Sequence, residues 1–144
     1  MTTSSPSTED NRQLVAELFD AYNEHDLDRF VDLHADDAFI HGAGEDFDGR
    51  ERIRSFARGQ FEAFPDGTYR IDDLFAEDDR VAVRMTFTGV HDRTFFGVEP
   101  TGQEVTVTEI AVYRISGGEV AETWLEADLW GMFQQIGAVE PPEG

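Results

Sequence analysis

The sequence of 144 residues contains no cysteine and no lysine. The absence of cysteine excludes a disulfide framework, a thiolate zinc site and a cysteine nucleophile. All eleven basic residues are arginine and 31 residues are acidic, so the formal net charge is −20. Because so acidic a surface repels phosphate groups, we expect neither nucleic acid nor a membrane as a partner.

The acidic residues occur in every segment of the chain rather than in one tail. This distribution is typical of proteins from a salt-rich cytoplasm, where carboxylates hold water and dissolved ions screen their repulsion. Residues 1–8 lack the basic start and apolar run of a signal peptide, and no apolar stretch approaches membrane-spanning length. We therefore predict a halophilic source and a cytoplasmic location.

Although long apolar runs are absent, hydrophobic residues make up 40% of the chain, which is enough for one ordinary domain. We expect this domain to span residues 9–137. Residues 1–8 are predicted to be a disordered N-terminal tail, and residues 138–144 a C-terminal tail.

Apolar residues at helical spacing predict three helices in the first half of the chain. The first begins at about residue 9, the second follows a cap at Asp26, and the third ends where Pro65 interrupts the pattern. From residue 68 the apolar spacing changes to two, and turns at 77–80 and 116–119 predict antiparallel hairpins. Helices followed by such strands indicate the α+β class.

Several short motifs, in their order and spacing, resemble the SnoaL-like polyketide cyclase family of the nuclear transport factor 2-like superfamily. They lie at residues 24–30, 49, 64–66, 79–84, 88–91, 97–102, 112–114 and 128–137. The resemblance implies a cone-shaped α+β barrel, with three N-terminal helices packed on a strongly curved antiparallel sheet around a pocket. It also implies a small apolar organic ligand, no cofactor, and a homodimer formed through the outer face of the sheet.

A carboxylate shielded from water in such a pocket holds its proton more tightly, so its pKa moves toward neutral pH. Such a group can remove a proton next to a carbonyl, which in cyclases of this family starts an aldol-type cyclisation or an isomerisation. Two alternatives stay open: a non-catalytic ligand-binding or accessory protein, and an ester or epoxide hydrolase of the same superfamily.

Other mechanisms lack support in the sequence. There is no Gly-x-Ser-x-Gly nucleophile elbow, and the glycines at 42 and 44 lack the third glycine of a dinucleotide site. The four histidines include no pair at the spacing of a helical metal site. We therefore predict no metal.

The resemblance makes Asp128 the first candidate for the catalytic base, because it ends the last strand in an Asp-Leu-x-Gly context. Its alternative role is to cap a short terminal helix. Glu109 is the second candidate, since it faces inward if Val107 and Tyr113 do. The opposite row of that strand is an equally good inner face, and it contains Thr106, Thr108, Ile110 and Val112.

His91 is the third catalytic candidate, because it ends a strand on the same face as Phe87, where it could orient a ligand or shuttle a proton. Its alternative role is an exposed histidine at a strand end. Trp124 and Glu122 share a row in the last strand and are candidates for the pocket wall, with core packing as the alternative for the tryptophan. Further pocket candidates are Tyr22, His41, Phe87 and Tyr113. His34 and Arg114 are second-rank site candidates, and an ion pair with a surface acid is the simpler role for Arg114.

Overall fold

The computed structural model describes residues 6–42 and 44–140. The helices of this part are α1 (Pro6–Asn23), α2 (Leu27–Asp32), α3 (Arg50–Ala63) and α4 (Leu129–Gln135). Its strands are β1 (His34–His41), β2 (Asp46–Asp48), β3 (Thr68–Glu77), β4 (Arg80–Val90), β5 (Glu104–Ser116) and β6 (Glu119–Ala127). The α+β class is confirmed.

The helix ends follow local rules. Pro6 begins α1, as proline is favoured in a first helical turn, so residues 6–8 of the predicted tail are helical. Residues 1–5 of that tail and residues 141–144 lie outside the described residues. The predicted cap of α2 is confirmed, because the Asp26 side chain accepts a hydrogen bond from the backbone N–H of Arg29 at 3.3 Å.

The strands form one sheet in the order β2-β1-β6-β5-β4-β3. The hairpins from β3 to β6 are antiparallel, as predicted. The sequence pattern did not predict that β1 pairs with β6 in parallel, with His41 opposite Trp124. Strands that pair in parallel are far apart in the chain, so no turn motif in the sequence indicates their pairing.

A β-bulge in β6 decides which of its side chains face inward. Ile115 of β5 pairs with Val120, but the preceding residue Arg114 pairs with Glu122, so Ala121 is the extra residue. Val120 is therefore buried, while Thr123 replaces Glu122 on the inner row. A strand without this bulge would have carried Val120 and Glu122 on the same face.

The inner face of the sheet packs on α1. The core includes Val15, Leu18 and Phe19 of the helix and Val83 and Ala111 of the sheet, all buried. Farther along, α2 and α3 pack on each other and on β1. The three helices thus cover one face of the sheet and leave space beneath them.

Candidate functional site

A cavity of about 130 Å³ lies between the three N-terminal helices and the inner face of the sheet. Most of its wall is apolar and aromatic. Among the described wall residues, Glu45 and Phe96 are exposed, so the cavity reaches solvent beside them. Buried and half-buried polar side chains also reach the wall, among them Tyr22, His34, Tyr69, Glu109, Tyr113 and Thr123.

Glu109 brings a carboxylate to this cavity from β5. The strand alternates buried and exposed residues, and Val107, Glu109 and Ala111 lie on the buried row. The Glu109 residue is 8% exposed. Burial raises the pKa of its carboxyl group from 4.5 to about 7, because removal from water disfavours the charged form. Near neutral pH, Glu109 can therefore both accept and return a proton.

Tyr69 holds the Glu109 carboxylate in place. Its hydroxyl lies 3.0 and 3.1 Å from the two carboxylate oxygens and donates a hydrogen bond to them. This bond stabilises the charged form and so opposes the effect of burial on the pKa of Glu109. Asn23 of α1 fixes Tyr69 in turn, accepting from its backbone N–H at 2.7 Å and donating to its carbonyl oxygen at 2.9 Å.

Asp128 lies at the start of α4, exposed and outside the cavity wall. Its side chain accepts a hydrogen bond from the backbone N–H of Gly131 at 2.8 Å, which caps the helix. A side chain at Gly131 would collide with the Asp128 carboxylate, so the Asp-Leu-x-Gly motif suits a capped helix start. In the structure Asp128 therefore has the alternative role considered above, that of a helix cap.

His91 is completely buried, not exposed, but it does not belong to the cavity wall. Its Nδ1 lies 3.1 Å from the Thr101 hydroxyl, and its backbone pairs with Gly102 and Gln103. The Nε2 atom has no hydrogen-bond partner within the described part of the chain. These contacts put His91 at the base of the loop that connects β4 to β5.

His41, Glu122 and Trp124 form a cluster on the face of the sheet opposite the cavity. His41 Nε2 lies 2.7 Å from Glu122, which also accepts from Arg114 at 3.1 Å. The His41 ring stacks on Trp124 with centroids 5.3 Å apart, and the Arg80 guanidinium lies over the same indole. The hydrogen bond from His41 and that from Arg114 lower the pKa of Glu122. None of these side chains lines the cavity.

The predicted pocket residues Tyr22, Phe87 and Tyr113 line the cavity. The Tyr22 hydroxyl donates to the side-chain oxygen of Gln60 at 3.1 Å. Burial, with a smaller effect of the Glu109 charge, raises the pKa of Tyr113 above its ordinary value. The Tyr113 hydroxyl therefore keeps its proton and can donate a hydrogen bond at neutral pH.

The sequence prediction did not include Tyr69 or Thr123. Strand spacing places Tyr69 in a row with Ile71, but no sequence signal connects its hydroxyl with Glu109, since β4 separates their strands. Thr123 lies inward only because of the bulge at Ala121. A period-two pattern contains no information on either contact.

Within residues 6–42 and 44–140, no three His, Cys, Asp or Glu side chains are placed to hold a metal ion together. In the same residues, no helix has both the length and the apolar character needed to cross a membrane.

The model of the SnoaL-like polyketide cyclase family matches residues 12–136. Among solved structures, the chain is similar to a provisionally named SnoaL-like polyketide cyclase from Jannaschia sp. CCS1. The identity is 26% and the TM-score 0.86, with 99% of this chain and 100% of that chain covered. No protein of curated function matches this chain.

Two further solved structures come from Streptomyces. IdmH, provisionally named a polyketide cyclase, from Streptomyces antibioticus is 31% identical with a TM-score of 0.77, over 88% of this chain and 98% of that chain. AclR from Streptomyces galilaeus, provisionally named a hydroxylase, is 26% identical with a TM-score of 0.84. The similarity covers 94% of this chain and 86% of that chain. The family match runs from α1 to the end of α4, so the chain belongs to the SnoaL-like polyketide cyclase family and has its α+β cone fold.

Proposed function

We propose that this protein is an enzyme that removes a proton next to the carbonyl group of a small, mostly apolar ligand, with Glu109 as the base. The observation that carries the proposal is a buried carboxylate in the wall of an apolar cavity, with its pKa raised to about 7. A base of this pKa is half ionised near neutral pH, where proton transfer is most efficient. Apolar cavities with a few convergent polar groups are typical ligand sites.

The proposed reaction begins when Glu109 takes a proton from the carbon next to the carbonyl. The electron pair of the C–H bond becomes part of an enolate, whose oxygen accepts a hydrogen bond from the Tyr113 hydroxyl. In a cyclisation, the enolate carbon then bonds to a second carbonyl carbon of the same ligand. The new alkoxide takes the proton back from Glu109, so the base is restored and no co-reactant is needed.

The proposal is tested with 1-tetralone, an apolar two-ring ketone with exchangeable hydrogens next to its carbonyl. We expect the protein to speed deuterium incorporation from D2O at that carbon, followed by NMR. Glu109→Gln should lose at least about a hundredfold of this rate, because general bases contribute about 10²–10⁴-fold. Glu126→Gln, which changes an exposed carboxylate of β6 outside the cavity wall, is the matched control.

An unchanged exchange rate in Glu109→Gln would overturn the role of this residue. Saturable binding of 1-tetralone without any deuterium exchange would favour the alternative of a non-catalytic ligand-binding or accessory protein.

We also propose that the outer face of the sheet binds a second copy of the chain. Ile110 of β5 and Phe75 of β3 are 54% and 68% exposed, although both are large apolar side chains. Association would remove them from water. Sedimentation in molar KCl should show a dimer, and Ile110→Glu should shift it toward the monomer. A monomeric wild-type protein at high concentration would contradict this proposal.

The acidic composition supports a further proposal, adaptation to a salt-rich cytoplasm. Acidic residues outnumber basic ones by 31 to 11, so most carboxylates have no arginine to pair with. The cytoplasmic location stays a prediction.

A further inference from the structure

His34 and Thr123 bring a second group of polar atoms to the cavity, from the adjacent strands β1 and β6. The two residues are 2% and 5% exposed. Proton transfer at Glu109 uses neither of them. A buried polar atom without a partner costs stability, so the Thr123 hydroxyl, which has none among the described residues, calls for an explanation in the wall of this cavity.

The hydrogen-bonding state of His34 follows from its surroundings. Its Nδ1 lies 2.9 Å from the carbonyl oxygen of Phe30, which can only accept, so Nδ1 carries a proton. Burial lowers the pKa of His34 to about 4, so the ring is neutral at pH 7. The Nε2 atom is then unprotonated, and the one hydrogen bond of the His34 side chain among the described residues is that of Nδ1, so Nε2 is not engaged in it. It is a fixed hydrogen-bond acceptor in the cavity wall.

Thr123 is the complementary group. It stands between Ile40 of β1 and Tyr113 of β5, its cross-strand neighbours. Its hydroxyl is buried and makes no hydrogen bond to the residues that the structure describes. A threonine hydroxyl can donate as well as accept, so this wall position offers both functions.

We propose that His34 and Thr123 form a binding position for a hydroxyl group of the ligand. The ligand hydroxyl donates to Nε2 of His34 and accepts from the hydroxyl of Thr123. A ligand carbonyl or ether oxygen can accept from Thr123 but has no proton for His34, so a hydroxyl is the group that satisfies both. The inference rests on the proposed function, which puts the ketone at Glu109, and it narrows the ligand class to hydroxylated apolar ketones.

The test compares the affinities of three two-ring ketones, measured by calorimetry at pH 6.5. They are 6-hydroxy-1-tetralone, 6-methyl-1-tetralone, whose methyl group has nearly the size of a hydroxyl, and unsubstituted 1-tetralone. We expect the hydroxyl compound to bind about tenfold more tightly than the methyl compound, as expected for one satisfied buried hydrogen-bonding position.

Variants assign this preference to the two residues. Thr123→Val keeps the shape of the side chain but removes the hydroxyl, and His34→Phe removes the acceptor. Each should abolish most of the tenfold preference for the hydroxyl compound over the methyl compound. Thr123→Ser, which keeps the hydroxyl, should retain the preference. Thr106→Val, on an exposed position of β5, is the control outside the cavity.

Equal affinities for the hydroxyl and methyl compounds in the wild-type protein would overturn the inference, as would a preference that survives in Thr123→Val. His34→Phe keeps the test valid if the valine variant does not fold, since a preference that survives in His34→Phe would also overturn the inference. Hydroxyl-dependent binding without deuterium exchange would leave this site in place and contradict the proposed reaction. Deuterium exchange together with equal affinities for the hydroxyl and methyl compounds would support the proposed reaction and contradict the hydroxyl-binding position. Failure of all three ketones to bind would contradict both.

Discussion

The hydroxyl of Tyr69 lies within hydrogen-bond distance of both carboxylate oxygens of Glu109, although β4 separates the strands that carry them. The contact spans the inner face of the sheet inside the cavity. It gives the buried carboxylate its one side-chain hydrogen bond among the described residues, while burial pushes its pKa up to about 7. The balance between these two effects sets the pH at which Glu109 can act as a base.

Glu109 should make the protein less stable as the pH rises. Its carboxyl group has a pKa of about 7 when folded and 4.5 in water, so between these values the folded state binds more protons than the unfolded state. Its stabilising contribution is complete below pH 4.5 and is lost as the pH rises through 7. The difference in unfolding free energy between Glu109→Gln and the wild type should therefore change by about 3 kcal/mol in favour of the variant between pH 4 and 8.

Urea unfolding of both proteins across this pH range measures the difference. Glu126→Gln serves as the control, since it changes an exposed carboxylate. Parallel curves for wild type and Glu109→Gln would show that the carboxyl group is not desolvated.

Tyr69→Phe should shift the pH dependence of proton exchange upward. The variant removes the hydrogen bond that favours the charged carboxylate, so the pKa of Glu109 should rise above 7. The rate of 1-tetralone exchange against pH gives the midpoint. Tyr22→Phe is the matched control, because the Tyr22 hydroxyl bonds Gln60 instead, and its midpoint should stay with that of the wild type. A lower midpoint in Tyr69→Phe would contradict this account.

Asp128 should matter for stability rather than for chemistry. Asp128→Ala removes the cap of α4 and should cost about 1 kcal/mol of unfolding free energy. Asp128→Ser keeps a capping oxygen and should recover most of that loss. Both variants should show the wild-type midpoint of proton exchange against pH. A shifted midpoint in Asp128→Ser would return this residue to the candidate site.

Salt should stabilise the fold. With a net charge of −20, like charges repel one another across the surface, and dissolved ions screen that repulsion. We expect the melting temperature to rise between dilute buffer and molar KCl at pH 7.5. A melting temperature that stays constant or falls would contradict the prediction of a halophilic protein.

Sequence periodicity was sufficient to predict the fold class, because helices and hairpins depend on the local spacing of apolar residues and on turn residues. The cap at Asp26 and the hairpin turns before β4 and β6 are examples of such local signals. The parallel pairing of β1 with β6 joins segments about 80 residues apart, and no local signal encodes it.

The candidate site was harder to predict, since it depends on which face each strand presents. For β5 the sequence predicted the alternation of two rows of side chains, but it left open which row faces the helices. In the structure the row that contains Glu109 is the buried one. In β6 a single extra residue, Ala121, exchanged the rows, so that Thr123 and not Glu122 or Trp124 reaches the cavity. Long-range contacts such as that between Tyr69 and Glu109 follow from three-dimensional packing alone.

The central claim is that Glu109 is a desolvated carboxyl group with a pKa near neutrality. The most direct test is a pH titration of its side-chain carboxyl carbon by ¹³C NMR in protein labelled at glutamate, with the signal assigned by its absence in Glu109→Gln. We expect a midpoint of about 7. A midpoint near the ordinary 4.5 would contradict it.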